Sequence, residues 1–336
     1  MRLGRSTVKF ENPPAILETS STVGKKEGEG PLSEDFDLVL EDDHFGEDSW
    51  EKAESKLQEE TAKRVLEKTG IKETDINYIL AGDLLNQCAG ANYAMRNFDV
   101  PFLGLYGACS TMAESMMVGS MLIAGGIADN ALCVTSSHFC SAEKQYRFPL
   151  DYGGQRTPTA QWTVTGSGAA LLTNGKGHAY IESVTTGKVI DMGINDANNM
   201  GAAMAPAACD TLVSIFEETK TTPSDYDLIL TGDLGIYGSD ILCDLISRKG
   251  YDIYSNHNDC GKMIFDIKGQ DVHAGGSGCG CCGSVFCGHI MNRIKRKEIN
   301  KMILIATGAL MNPLAIYQGE TIPSIAHGLV IKNERE

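Results

Sequence analysis

Residues 103–138 read LGLYGACSTMAESMMVGSMLIAGGIADNALCVTSSH, and the organisation of the whole chain follows from them. A short strand-like run, Phe102 to Tyr106, passes through Gly107 and Ala108 into Cys109. The next segment, about Ser110 to Ala124, has almost no polar side chain beyond Glu114 and small hydroxyls. Its apolar residues (Met112, Met116, Met117, Val118, Met121, Leu122 and Ile123) fall on every side of a helical wheel. A helix that is apolar all round is a buried helix. This one is shorter than the roughly 20 residues a bilayer span requires. Gly125-Gly126 ends it, and Ala131 to Thr135 reads as a second buried strand. One cysteine therefore stands at the N-terminus of a helix running through the middle of a domain. Such an end carries about half a positive charge, which favours a thiolate or a bound anion. The same position also suits a small buried residue at a tight turn.

The pattern around this stretch occurs twice. Asp75 to Leu84, DINYILAGDL, recurs 150 residues later as Asp225 to Leu234, DYDLILTGDL. Each copy follows an amphipathic helix, the first capped by Ser49 and running to about Lys68, the second spanning about Ala208 to Thr219. Each is followed by a glycine-marked entry into a buried helix, Gly107-Ala108-Cys109 in the first half and Gly278 to Gly283 in the second. Apolar strands come next, Ala131 to Thr135 and Met302 to Thr307. A repeated strand–helix order predicts two similar α/β halves packed together rather than a solenoid or propeller. The halves are read as residues 1–175 and 176–336, with an acidic segment at 24–51 and a turn-rich excursion at 139–162. The acidic segment lacks EF-hand spacing and reads as a solvated loop.

Composition narrows the function. A formal charge of −15 argues against nucleic acid and against electrostatic adhesion to anionic lipid. Eleven cysteines without regular spacing, no signal peptide and no long apolar run read as a soluble protein of a reducing compartment. Thirty-seven glycines with only 7% aromatic residues suggest close backbone packing. The run Cys279-Gly280-Cys281-Cys282, with Cys287, His273 and His289 nearby, lacks the paired spacing of a zinc site, and small residues at a crowded turn explain it better. No metal site is expected. His138 follows a strand at what should be the mouth of an α/β site. Lys144, Arg147 and Arg156 in the excursion are candidates for meeting a carboxylate.

Taken together, the cysteine in GACST, the strand GSGAALL, the duplicated half and the glycine-rich second-half turn resemble the thiolase and ketoacyl-synthase superfamily. Three blocks narrow the resemblance to its sporulation branch: RLGRSTVKFENPPAI, CVTSSHFCSAEKQYRFPLDYGGQRTPTAQWTVTGSGAA and GGSGCGCCGS. The resemblance implies a five-layer α-β-α-β-α fold of two pseudo-duplicated halves and a homodimer. It also implies binding of dipicolinic acid, free or as its calcium chelate, for uptake into the developing spore. Membrane proteins of the same uptake system would be the partners, with the chain peripheral on the cytoplasmic side of the forespore inner membrane.

Carried over residue by residue, the superfamily's nucleophile matches Cys109. Its strand-end histidine falls on Asp233, expected at the rim of the site, and its glycine-turn histidine or asparagine falls on Ser277 or Cys279. An anion at Asp233 would oppose thiolate formation. The resemblance thus implies a pocket lined by Cys109, Ser110, Asp233, Ser277, Cys279 and His138, without the catalytic set and without a cofactor. The competing reading is an acyltransferase that uses Cys109.

Overall fold

The computed structural model describes residues 1–147 and 155–335. The first half contains strand β1 (Ala15–Val23), helix α1 (Trp50–Thr69), β2 (Tyr78–Gly82), α2 (Ala89–Met95), β3 (Phe102–Gly104), α3 (Thr111–Ala124), β4 (Asn130–Ser137) and β5 (Gly166–Thr173). The second contains β6 (Ala179–Thr185), α4 (Met200–Thr219), β7 (Leu228–Thr231), α5 (Gly235–Ser247), β8 (His257–Asp259), α6 (Cys279–Val285), β9 (Lys301–Ala309) and β10 (Ser324–Lys332).

The strands lie in the order β3-β2-β4-β5-β1 and, in the other half, β8-β7-β9-β10-β6. The two orders are the same, strand for strand. In each half the connections through helices give parallel pairs (β2 with β3 and β4, β7 with β8 and β9), whereas the last two strands run antiparallel. The half-sheets meet where β1 pairs with β6 over Ala15↔Tyr180 and Ile16↔Ala179, beside a bulge at Ile16/Glu18.

Five layers result. Helix α3 packs against β2, β4 and β5 on one side and against β9 and β10 on the other, and α6 lies beside it against β1, β4 and β5. One apolar core fills this inter-sheet space, joining Met112, Met116 and Leu172 to Cys281, Cys282 and Leu304. Helices α1 and α2 cover the outer face of the first half-sheet, and α4 and α5 that of the second, each over its own core. The all-round apolar surface of α3 is explained by this position, because sheet faces it from both sides.

Local signals set the element ends. The Ser49 hydroxyl accepts from the Lys52 N–H and Gly70 closes α1 in the left-handed conformation. Helix α4 starts eight residues earlier than the periodicity places it, capped by Asn199, with Pro206 inside its second turn. Helix α6 starts at Cys279 and continues through Phe286–Ile290 to Lys295. The acidic segment is not simply a solvated loop. Leu32, Phe36 and Leu40 enter the core, and Glu27 is buried with its carboxylate accepting the Thr165 N–H. Burial pushes the Glu27 carboxyl up to about 8. The excursion opens with a helix, Phe139–Gln145, and ends as Trp162–Thr163 pairs with Gly276–Ser277; its middle, 148–154, lies outside the described residues.

Glycine decides how closely α6 approaches the first half-sheet. A Cβ on Gly280 would lie 2.3 Å from the Gly166 carbonyl oxygen and 2.5 Å from Ser137 Oγ, and one on Gly168 would lie 2.2 Å from the Gly283 oxygen. Gly278 needs its freedom for another reason, since its φ is +111°. Gly280→Val should therefore abolish soluble expression whatever metal is supplied. Stoichiometric zinc in the wild type, lost in Cys281→Ser, would contradict this packing account.

Candidate functional site

The C-terminal ends of β3, β7 and β9 and the N-termini of α3 and α6 converge between the half-sheets. Cys109 sits two residues before α3, in a turn wound by Ala108 at φ +50°. Two hydroxyls hold that turn: Ser110 Oγ donates to the Gly107 oxygen and Thr111 Oγ1 to the Ala108 oxygen, both at 2.6 Å. Gly308 of β9 presses on it so closely that a Cβ there would be 2.2 Å from the Gly107 oxygen. Ser110 is thus fully buried and spends its hydroxyl on the turn rather than on the cleft.

Asp233, just past β7, is the acceptor at the centre of the site. Thr307 Oγ1 donates to Oδ1 at 2.7 Å, while Ser277 Oγ and the Gly278 N–H donate to Oδ2 at 3.0 and 2.8 Å. The Cys109 thiol lies within hydrogen-bonding reach of the same carboxylate. Asp233 is fully buried, so it forms the floor of the site and not its rim. The physical reason is that donors from three elements surround it, which lets a carboxylate be buried without water. One of those donors is the N–H of Gly278 at the start of α6, so that helix end already has an anion.

Arg147 completes a relay. Its Nη2 donates to Ser277 Oγ at 2.8 Å, Ser277 donates to Asp233, and Nη1 donates to the Gln161 backbone oxygen at 2.6 Å. Gln161 Nε2 in turn donates to the Asp233 and Gly276 carbonyls, both at 2.8 Å. Burial pushes the Cys109 thiol well up, and the Asp233 charge beside it adds to the shift; Arg147 opposes them without reversing the result. A carboxylate satisfied by neutral donors and facing a dry thiol leaves the proton on sulfur. Alkylation of Cys109 by iodoacetamide should accordingly be slow at pH 8 and still rising well past the ordinary thiol range of about 8.5. A plateau below that range, read by mass spectrometry of the labelled peptide, would refute this.

The remaining candidates separate. Cys279 is buried against Cys109 and Leu84, but its thiol donates back to the Ser136 oxygen at 2.9 Å. His138 is not brought to the cluster. Its Nδ1 accepts the Cys140 N–H and its Nε2 meets the Asp43 oxygen at 2.8 Å, so it caps the helix Phe139–Gln145 and ties it to the acidic segment. Burial lowers its pKa, keeping the ring neutral. Lys144 pairs with Glu51 outside the site. Arg156 lies over the Trp162 ring and donates to the Asp271 oxygen.

In front of Cys109 is a cleft of two adjoining hollows. The inner one is bordered by Leu84, Tyr106, Cys109 and Asn312, and the outer one by Glu143, Arg156, Gln161 and Asn198; Tyr146, Arg147, Met200 and Met311 line both. Four buried polar atoms of these walls have no hydrogen-bond partner among the described residues: Tyr146 Oη, Arg147 Nε, Arg156 Nη1 and Gln161 Oε1. Three of the four are donors, and two belong to guanidinium groups. Tyr146, Gln161, Met200 and Met311 are site residues that the sequence does not single out. Among the described residues no cluster of three or more histidine, cysteine or acidic side chains could hold a metal ion. No helix of the described residues is long and apolar enough to cross a membrane.

Known proteins share this architecture. A 3-ketoacyl-CoA thiolase from human mitochondria, solved in complex with CoA, superposes with a TM-score of 0.59 at 13% identity, covering 98% of this chain and 100% of that one. The 3-oxoacyl-[acyl-carrier-protein] synthase III of Aquifex aeolicus VF5 gives 0.57 at 11% identity over 95% and 99%. At these identities the likeness establishes a thiolase-like fold. The sequence reaches further. It is 46% identical over 329 residues to the Stage V sporulation protein AD of Bacillus subtilis (strain 168), covering 98% of this chain and 97% of that protein. A family model matches residues 4–332, and with that identity and near-complete coverage the chain belongs to the Stage V sporulation protein AD (SpoVAD) family.

Proposed function

We propose that this chain binds dipicolinic acid, free or as its calcium chelate, for uptake into the developing spore, and that it performs no acyl transfer. The observation that carries the reading is the set of buried donors without partners, Tyr146 Oη, Arg147 Nε and Arg156 Nη1, on the walls of the Cys109 cleft. Buried donors left unpaired cost about 1–3 kcal/mol each. An anion with several acceptor oxygens relieves that cost, and Met200, Met311 and Tyr106 offer apolar surface for a flat ring. A planar diacid has both features.

The acyl-transfer alternative needs a base for Cys109. Its neighbour is instead Asp233, whose charge opposes ionisation of the thiol. The chain's partners on this reading are integral membrane proteins of the same uptake system, met from the cytoplasmic side by a homodimer.

Calorimetric titration of the purified protein with dipicolinate, with and without calcium, tests the reading. Saturable binding of one ligand per chain is the expected result, and no heat with folded protein overturns it. Cys109→Ser should bind like the wild type, whereas Cys109→Trp should fill the inner hollow and abolish binding with an unchanged circular dichroism spectrum. Accumulation of a covalent acyl-enzyme from acyl-CoA, seen by mass spectrometry, would revive the enzyme.

A further inference from the structure

The cleft holds more hydrogen-bonding capacity for an anion than it holds positive charge. Two guanidinium groups face it, and each already has a carboxylate. Arg147 reaches Asp233 through Ser277, and Arg156 donates to the backbone and side-chain oxygens of Asp271. A third carboxyl, Glu143, lines the outer hollow at 7% exposure. Burial raises its pKa, and the charges of Arg147 and Arg156 only partly offset that. Dipicolinate, on the reading above, would add two more negative charges to this space. Excess charge in a desolvated site is costly enough that a group neutralises instead. Gln161 Oε1 points the same way: buried, unpartnered and on the same wall, it calls for a donor, which a fully ionised diacid does not have.

We infer that the free diacid is bound together with one proton, and that Glu143 is the residue that carries it. The inference rests on the dipicolinate reading. The proton comes from solvent and bonds to a Glu143 carboxylate oxygen, and no other bond changes. The resulting carboxylic acid adds an O–H donor on the wall that carries Gln161 Oε1 and removes the charge that would repel the ligand. Glu143 thereby sets the charge of what the cleft accepts.

The other titratable groups around Glu143 are distinguishable from it. Tyr146 and Cys140, on the same stretch, are both raised by burial, Cys140 to about 12, and stay protonated. Glu51 is paired with Lys144, and His138 is kept neutral. Asp233 lies beneath the cleft, and Cys109, which borders the inner hollow, keeps its proton because burial pushes its thiol well up. Among the described residues the competitor is Glu54 of α1, on the other side of the helix Phe139–Gln145, where it accepts from Ser141 and is pushed up to about 8.

Titration with dipicolinate from pH 6.5 to 8.5, in two buffers of different ionisation enthalpy, tests the inference. The ligand's own carboxyls are ionised throughout, since carboxylic acids titrate near 4. Affinity should weaken by up to tenfold per pH unit as pH rises, with uptake approaching one proton per ligand on the acidic side. Glu143→Gln, and independently Glu143→Met, should abolish the uptake, flatten the profile and bind more tightly than wild type at pH 8.5. Binding without proton uptake overturns the inference, as does uptake that survives both variants, which would assign the proton to Glu54. Binding that requires calcium also overturns it. In all three cases the dipicolinate reading stands; absence of binding under every condition fails that reading and the inference with it.

Discussion

Arg147→Met should weaken dipicolinate binding about ten- to a hundredfold while leaving the protein folded. The side chain contributes an unpartnered Nε to the cleft and holds Ser277 through Nη2. Charge-assisted hydrogen bonds to a carboxylate contribute about 1.5–3 kcal/mol each, and a factor of ten in affinity corresponds to about 1.4 kcal/mol. Its bonds to the fold are few, namely those to the Gln161 oxygen, Ser277 Oγ and, at 3.6 Å, Met200 Sδ, so melting should change little. Arg147→Lys should keep the charge but lose the fork, and should recover only part of the affinity. Calorimetry on both variants checks this; a Met variant that binds as wild type would move the ligand away from the cleft.

The largest stability loss should come from Asp233→Leu. That change strands the Ser277 and Thr307 hydroxyls and the Gly278 N–H inside a region without water. At about 1–3 kcal/mol for each stranded donor the total is roughly 3–9 kcal/mol, enough to lower the melting temperature by about 10 °C in a chain of this size. Asp233→Asn should be milder in stability and informative in chemistry. It keeps one acceptor oxygen and removes the negative charge next to Cys109, so iodoacetamide should label the thiol faster at pH 8 than in the wild type. Unchanged labelling would mean that burial alone, and not Asp233, holds the thiol up.

What the sequence makes legible is whatever depends on local periodicity and order. The duplicated DINYILAGDL and DYDLILTGDL segments become β2 and β7 at the same place in each half-sheet, and the apolar run after Cys109 becomes the helix between the sheets. The site is less legible because its bonds join residues far apart. Arg147 is recognisable as a candidate cation, but its meaning depends on Ser277, 130 positions away. His138 occupies the expected strand end and is drawn off by the Asp43 oxygen, in an acidic segment whose pattern gives no hint of packing. Asp233 looks like a rim anion until Thr307 and Ser277 are brought to it by other elements. Met200 and Met311 carry no signal that separates a cleft wall from ordinary core.

The pairing of β1 with β5 also bears on how the chain is made. Ser20 lies opposite Ala169 and Thr22 opposite Ser167, so β1 leaves the ribosome about 150 residues ahead of its central neighbour. At about 5–20 residues per second that is a wait of roughly 7–30 seconds, during which the edge of β1 that faces β5 is uncovered. Contacts this distant in sequence make for slow closure. The cell that assembles this protein must therefore shield an incomplete sheet for far longer than the ordering of any one of its helices takes.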